Sequence, residues 1–198
     1  MTDKQIIKAQ KRIKAYCAIL ANEKKRFGGY MDSGGIRYFI PELYLQLQDY
    51  KGAMTYFRWF SNAFPDDIGI PAFNLFWAAT LFENNKIPES IRKVYETAFS
   101  NTYILDLIAG KDVKPIDKSE LAGYENLDYA KQIYKGCIEH ITLEFQKFLT
   151  GLIEDKVFRD NLNRYISLQK LIKDKPVGQM RTHLINESNK FERVTTGR

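Results

Sequence analysis

Few residues in this chain are of a type to do chemistry. His140 and His183 are the only histidines, Cys17 and Cys137 the only cysteines. Cys137, His140 and Glu144 could lie along one side of a helix, and a metal ion needs three or four such ligands. Cys137 belongs to an apolar stripe, however, and no second cluster completes the shell. A Cys17–His140 nucleophile pair would need Cys17 in an exposed cleft, whereas its spacing places it in the core. Ser33 lies among glycines without a G-x-S-x-G context. Gly29 and Gly34 match the first half of a phosphate-binding loop, but Gly35-Ile36 stands where Lys-Ser/Thr is needed. Segment 28–35 therefore reads as a flexible linker, and Asp66-Asp67 as turn and cap residues. The expectation is a protein that is not an enzyme and uses no cofactor or metal.

A second kind of chemistry is suggested by residues 48–67, QDYKGAMTYFRWFSNAFPDD, where rings crowd around Arg58. Exposed rings beside basic residues could stack nucleic-acid bases. The charge distribution argues against this. Of the net charge of +6, the first 30 residues hold eight Lys/Arg against two Asp/Glu. Residues 31–118, which include the aromatic stretch, hold nine against eleven, and affinity for phosphate needs basic density. Nucleic-acid association through the basic N-terminal helix remains the alternative reading, with an unrecognised enzyme site as a further one.

The elements that would position these residues are helical. Thr2 and Gln5 can form a capping box, and Ile6, Ala9, Ile13, Tyr16/Cys17 and Leu20 follow at helical spacing. This predicts an amphipathic helix over 3–26, with Lys4, Lys8, Lys11, Arg12 and Lys14 on its solvated side. Helices are then expected at 36–47, 50–63, 71–84 and 88–100, with Pro41 starting or kinking the first. A loop follows around 109–119. Leu127, Ala130, Tyr134, Cys137, Ile141, Phe145, Phe148 and Leu152 recur at intervals of three or four, which predicts one long helix with a buried face. A further helix is expected at 156–173, and a polar tail over 176–198, mobile from about 185. No run of 18 or more apolar residues occurs, so no segment is expected to span a membrane. The charged N-terminus lacks a secretion signal and the two cysteines make no disulfide framework, so the setting is expected to be cytoplasmic.

The central helices carry a repeat. With Ala53 as the small residue of a second helix, Tyr44, Tyr50, Phe57 and Pro65 fall nine and three before it and four and twelve after it. Those are sites where tetratricopeptide repeats prefer these residue types. With Ile91 in the same role, 38 residues later, Ala79, Phe82, Tyr95 and Ala98 fall on the pattern. Pro41, Phe60, Ile91 and Pro88 depart from it. The middle of the chain thus resembles a pair of degenerate tetratricopeptide repeats. In order, Gly35-Ile36-Arg37-Tyr38, LYLQLQDY, FNLFWAATLF, YETAFSNTYILDLIAG and GYENLDYA are similar to the repeat module of the suppressor-of-tumorigenicity family and related bacterial repeat proteins. Here Asn101-Thr102-Tyr103-Ile104 lacks the proline of the family's turn, and Leu127 replaces an acidic residue. The resemblance covers roughly 30–140.

This resemblance implies an all-α fold of antiparallel helical hairpins forming a short, tetratricopeptide-like right-handed solenoid. Its expected parts are a basic helix over 1–29, two hairpins over 30–118, and C-terminal helices over 119–175 that pack on or cap the array. It implies a non-enzymatic protein–protein interaction module, a scaffold or adaptor whose first helices line a concave groove. The groove candidates are Tyr38, Glu42, Leu45 and Gln46, then Phe73, Phe76, Thr80, Glu83 and Asn84. Because the groove positions lack the basic residues that clamp acidic chaperone tails, an apolar or helical ligand is expected instead. Since two repeats are fewer than the three usually needed, the flanking helices are expected to cap the array or make a homodimer contact.

Overall fold

The computed structural model describes residues 1–120 and 122–197, and among these all regular structure is helical. The first helix, α1 (Asp3–Phe27), opens in the expected capping box: Thr2 accepts from Gln5 N, and the Gln5 side chain accepts from Thr2 N at 2.8 Å. It ends at Gly28, whose φ of 74° is the left-handed conformation that glycine supplies without strain. Only a narrow arc of α1 is covered, through Ala9, Ile13 and Leu20. Cys17 lies outside that arc and is exposed, which corrects its expected place in the core. The basic side chains from Lys4 to Lys14 are all exposed.

A 3-10 turn (Ile36–Tyr38) leads into α2 (Ile40–Gln46), so Pro41 starts this helix and does not kink it. Asp49 caps α3 (Tyr50–Ala63) by accepting from Gly52 N at 2.8 Å. Then follow α4 (Pro71–Glu83) and α5 (Ile87–Ser100). Helix α4 is buried on nearly all sides, as expected for a helix that is apolar all round. It packs along α5, where Ser90 Oγ donates to Ala78 O at 2.8 Å, and also touches α2 and α3.

A short helix not anticipated from the sequence, α6 (Ile104–Ile108), lies between the helix expected at 88–100 and the loop expected around 109–119. Buried Asn101 organises it. Its Oδ1 accepts from Tyr103 N and Ile104 N, and its Nδ2 donates to Tyr124 O and Asn126 O. One side chain thus satisfies two backbone donors and two backbone acceptors.

The long helix expected over 127–152 is two helices, α7 (Leu127–His140) and α8 (Leu143–Glu154). Ile141 is extended, and Thr142 Oγ1 accepts from Phe145 N at 3.1 Å to cap α8. The apolar periodicity runs through this elbow because both helices bury the same phase of residues, so it gives no sign of the break. Helix α7 packs on α6, α4 and α2, and α8 on α9 (Lys156–Asp174), α6 and α4.

The tail expected to be mobile forms α10 (Gln179–Thr196), packed on α9 and α5. Its buried residues are Leu184, Ser188 and Thr196, two of them small and polar, so hydropathy does not announce it. Gln169 Nε2 donates to Ser188 Oγ at 3.0 Å, and Phe191 rests near Phe99 under the Arg164 guanidinium. No helix among the described residues is long and apolar enough to cross a membrane.

Candidate interaction site

The aromatic stretch around Arg58 lies mainly in the core. Phe57 and Phe60 are almost wholly buried, with Phe57 stacked on Trp77 at 4.6 Å and Phe60 4.5 Å from Phe73. Such ring pairs add about 0.5–1.5 kcal/mol each beyond their buried area. Tyr56 is also buried and donates to Arg37 O at 2.7 Å. Arg58 is exposed. These rings are packed against one another, so they offer no stacking surface.

The nine groove candidates divide between the two ends of the α2–α4 layer. Phe73 is buried among Phe57, Phe60 and Trp77. Tyr38 belongs to a polar staple at the end where α2 and α4 begin. Buried Asp32 accepts from Ile36 N and Arg37 N and pairs with Arg37 Nη1 at 2.7 Å. Arg37 Nε pairs with Asp67 at 2.8 Å, and Tyr38 OH donates to the same carboxylate. Burial and the Asp67 contact push the Tyr38 phenol up to about 12. Burial opposes the Arg37 charge, but the two aspartates more than offset it and raise its pKa. The linker expected to be flexible is therefore pinned at Asp32.

At the opposite end, Glu42, Leu45, Gln46, Phe76, Thr80, Glu83 and Asn84 gather around the α7–α8 elbow. His140 Nε2 lies 3.3 Å from Glu42 Oε1 and 3.2 Å from Gln46 Nε2, which itself donates to Glu42 Oε1 at 3.1 Å. His140 beside it holds the Glu42 carboxyl below its ordinary value, against the effect of partial burial, and Arg12 adds to the shift. The Phe76 ring lies 6.4 Å from the imidazole, and Thr142 Oγ1 donates to Glu83. Thr80 is buried with its hydroxyl on Phe76 O. Asn84 Nδ2 bridges Thr80 O and Tyr50 O. Beyond them, Phe82 packs on Phe145 and Phe148 of α8. The surface expected to receive a partner is thus covered by the chain's own α7 and α8.

What stays open is a cleft of about 470 Å3 beside this covered surface. One wall is the start of α1, with Gln5, Lys8, Ala9 and Arg12; the floor is Leu43, Leu45 and Ile141; the far rim carries Gln46, Glu139 and His140. Of the groove candidates, Leu45 and Gln46 line it. From the sequence, Lys8 and Arg12 belong to a solvated face, with a partner or RNA contact of that face as the lesser reading. Their signal was their position, since both border the Ala9 stripe on α1 and do not oppose it. Cys137 is buried beneath the elbow, and burial pushes its thiol up to about 12. It therefore stays protonated at neutral pH and is no nucleophile there. Among the described residues, no group of three or more His, Cys, Asp or Glu is gathered to hold a metal ion.

Comparisons with family models, curated proteins and solved structures return no match to this chain.

Proposed function

We infer that this protein is a non-enzymatic interaction module, in which α2–α5 serve as two tetratricopeptide-like hairpins and a partner protein docks in the α1–α2–elbow cleft. The observation that supports this most is the make-up of the cleft, an apolar floor between polar rims supplied by α1, α2 and α7. That pattern suits a polypeptide, whose apolar side chains would enter the floor while its polar groups meet the rims. The interior supports the hairpin reading, since Ala53, Phe57, Ala79, Tyr95 and Ala98, all repeat-pattern positions, are buried. Both cysteines are free, which fits a reducing compartment such as the cytoplasm.

The test is to fill the cleft without disturbing the core. Glu139 is exposed on its rim. In a Cys17→Ser background, Glu139→Cys carries a bulky maleimide while Cys137 stays buried. Affinity capture from the native cell should recover a protein with the unlabelled variant and lose it after labelling. Capture that is unchanged by the label places the partner elsewhere and removes the cleft from the proposal. Recovery of no specific protein by either form overturns the module reading.

A further inference from the structure

We propose that the cleft selects an acidic, amphipathic helical segment of its partner; this rests on the interaction-module reading above. The first ground is charge. Lys8 and Arg12 stand on the α1 wall, both exposed, and neither pairs with a carboxylate among the described residues. Arg12 Nη2 donates to Tyr16 OH at 2.9 Å, which leaves the rest of its guanidinium fork open. Of the carboxylates on the other side, Glu42 is already engaged by His140 and Gln46. Arg12 also acts on Glu42 through space, and Glu139 is the one carboxylate among the residues that line the cleft.

The second ground is spacing. Lys8 and Arg12 are four residues apart on one helix, so their stems emerge about 6 Å apart along its axis. Carboxylates at i and i+4 of a second helix have the same spacing. The α1 wall runs from Gln5 to Arg12, about 10 Å, which matches roughly two turns of a partner helix. The third ground is the floor. Ala9, Leu43, Leu45 and Ile141 are small or branched and largely buried, so they give the cleft a shallow apolar base for leucine-like side chains on the partner's other face.

A nucleic acid fits these residues less well. The floor is aliphatic, and the one large ring among the lining residues, Tyr50, is half-buried, so bases find little to stack on. The sequence pattern pointed away from acidic ligands because the concave positions hold no cation. The cations come instead from α1, a helix outside the repeats.

Binding can be measured by fluorescence anisotropy with the full chain and three labelled probes. These are a 12-residue helical peptide of leucines and glutamates, its counterpart with lysine for glutamate, and a 12-nucleotide single-stranded oligouridine. The glutamate peptide should bind, weaken as salt rises, and lose on the order of tenfold or more in affinity on Lys8→Glu/Arg12→Glu. Lys25→Glu/Arg26→Glu makes the same change in net charge away from the cleft and should leave binding within about twofold. Equal binding of both peptides, or equal loss in the two double variants, overturns the acidic assignment. Preferential binding of the oligouridine overturns the choice of a polypeptide. A cell-derived partner that is blocked by the Glu139 label yet indifferent to Lys8→Glu/Arg12→Glu would overturn the charge inference and leave the module reading standing.

Discussion

The two ends of the α2–α4 layer handle charge in opposite ways. At the staple end, Asp32, Arg37, Tyr38 and Asp67 close into a network in which one guanidinium meets two carboxylates and its carbon lies 4.3 Å from the Tyr38 ring centroid. At the cleft end, Glu42, Gln46 and His140 form a looser, half-exposed cluster, with two cations beside it that have no carboxylate partner among the described residues. A buried ion network tolerates little change, because each lost partner strands a desolvated charge. An exposed one contributes little to stability and can exchange partners at small cost. The first end uses its charges to hold the fold together, and the second leaves Lys8 and Arg12 exposed to solvent.

The contrast breaks most readily at Arg37. Arg37→Ala strands the Asp32 carboxylate and should destabilise the protein by about 3 kcal/mol, read as a lower urea midpoint. Arg37→Lys should recover only part of this, because an ammonium cannot span both aspartates as a planar fork does. A loss below about 1 kcal/mol would show that the staple behaves like a surface pair.

Gly52→Ala probes the turn at the other end. A Cβ there would press on the Asp49 cap carboxylate and lie 2.6 Å from Tyr44 Cε1. By helix propensity alone the change gains up to about 1 kcal/mol, but the crowding should turn it into a loss of about 1–2 kcal/mol. A more stable variant in thermal unfolding would show that the cleft end yields more easily than its packing implies.

The smallest effect is expected at His140. His140→Ala should cost under about 1 kcal/mol at neutral pH, because the Glu42 contact is half exposed. The Glu42 carboxyl should titrate higher than in the parent, as read by carbon-detected NMR. The sign follows from the depressed folded value. The Glu42 contribution is present above its unfolded pKa and is lost as pH falls through the folded one. An unmoved Glu42 titration in the variant would remove His140 as the cause of the shift.

Much of this contrast was legible before the structure, but unevenly. The aromatic register was readable because Ala53 and Phe57 face inward at helical spacing and turn residues bound them, whereas Phe60, off the repeat pattern, is buried as well. The elbow was not, because a periodic stripe looks the same across two helices as along one. Thr142, an N-cap residue followed by Glu144 in the first turn, was the available sign. Helix α10 escaped because its covered face includes Ser188 and Thr196, whose burial depends on partners in α9 and α5 that no local pattern encodes. The cleft cations were misread for a related reason. A lysine on the border of a helix stripe becomes part of a wall only when a second element stands opposite.

One contact of the staple reaches further than the network itself. Asp32 N donates to the Glu23 carboxylate at 2.9 Å, and Glu23 lies in the last two turns of α1, about 20 Å along the axis from Lys8 and Arg12. Helix α1 is therefore held at two places, by the Glu23–Asp32 contact near its end and by Ala9 and Ile13 packed with Leu43 beside the cleft, so the cleft wall and the staple share one rigid rod.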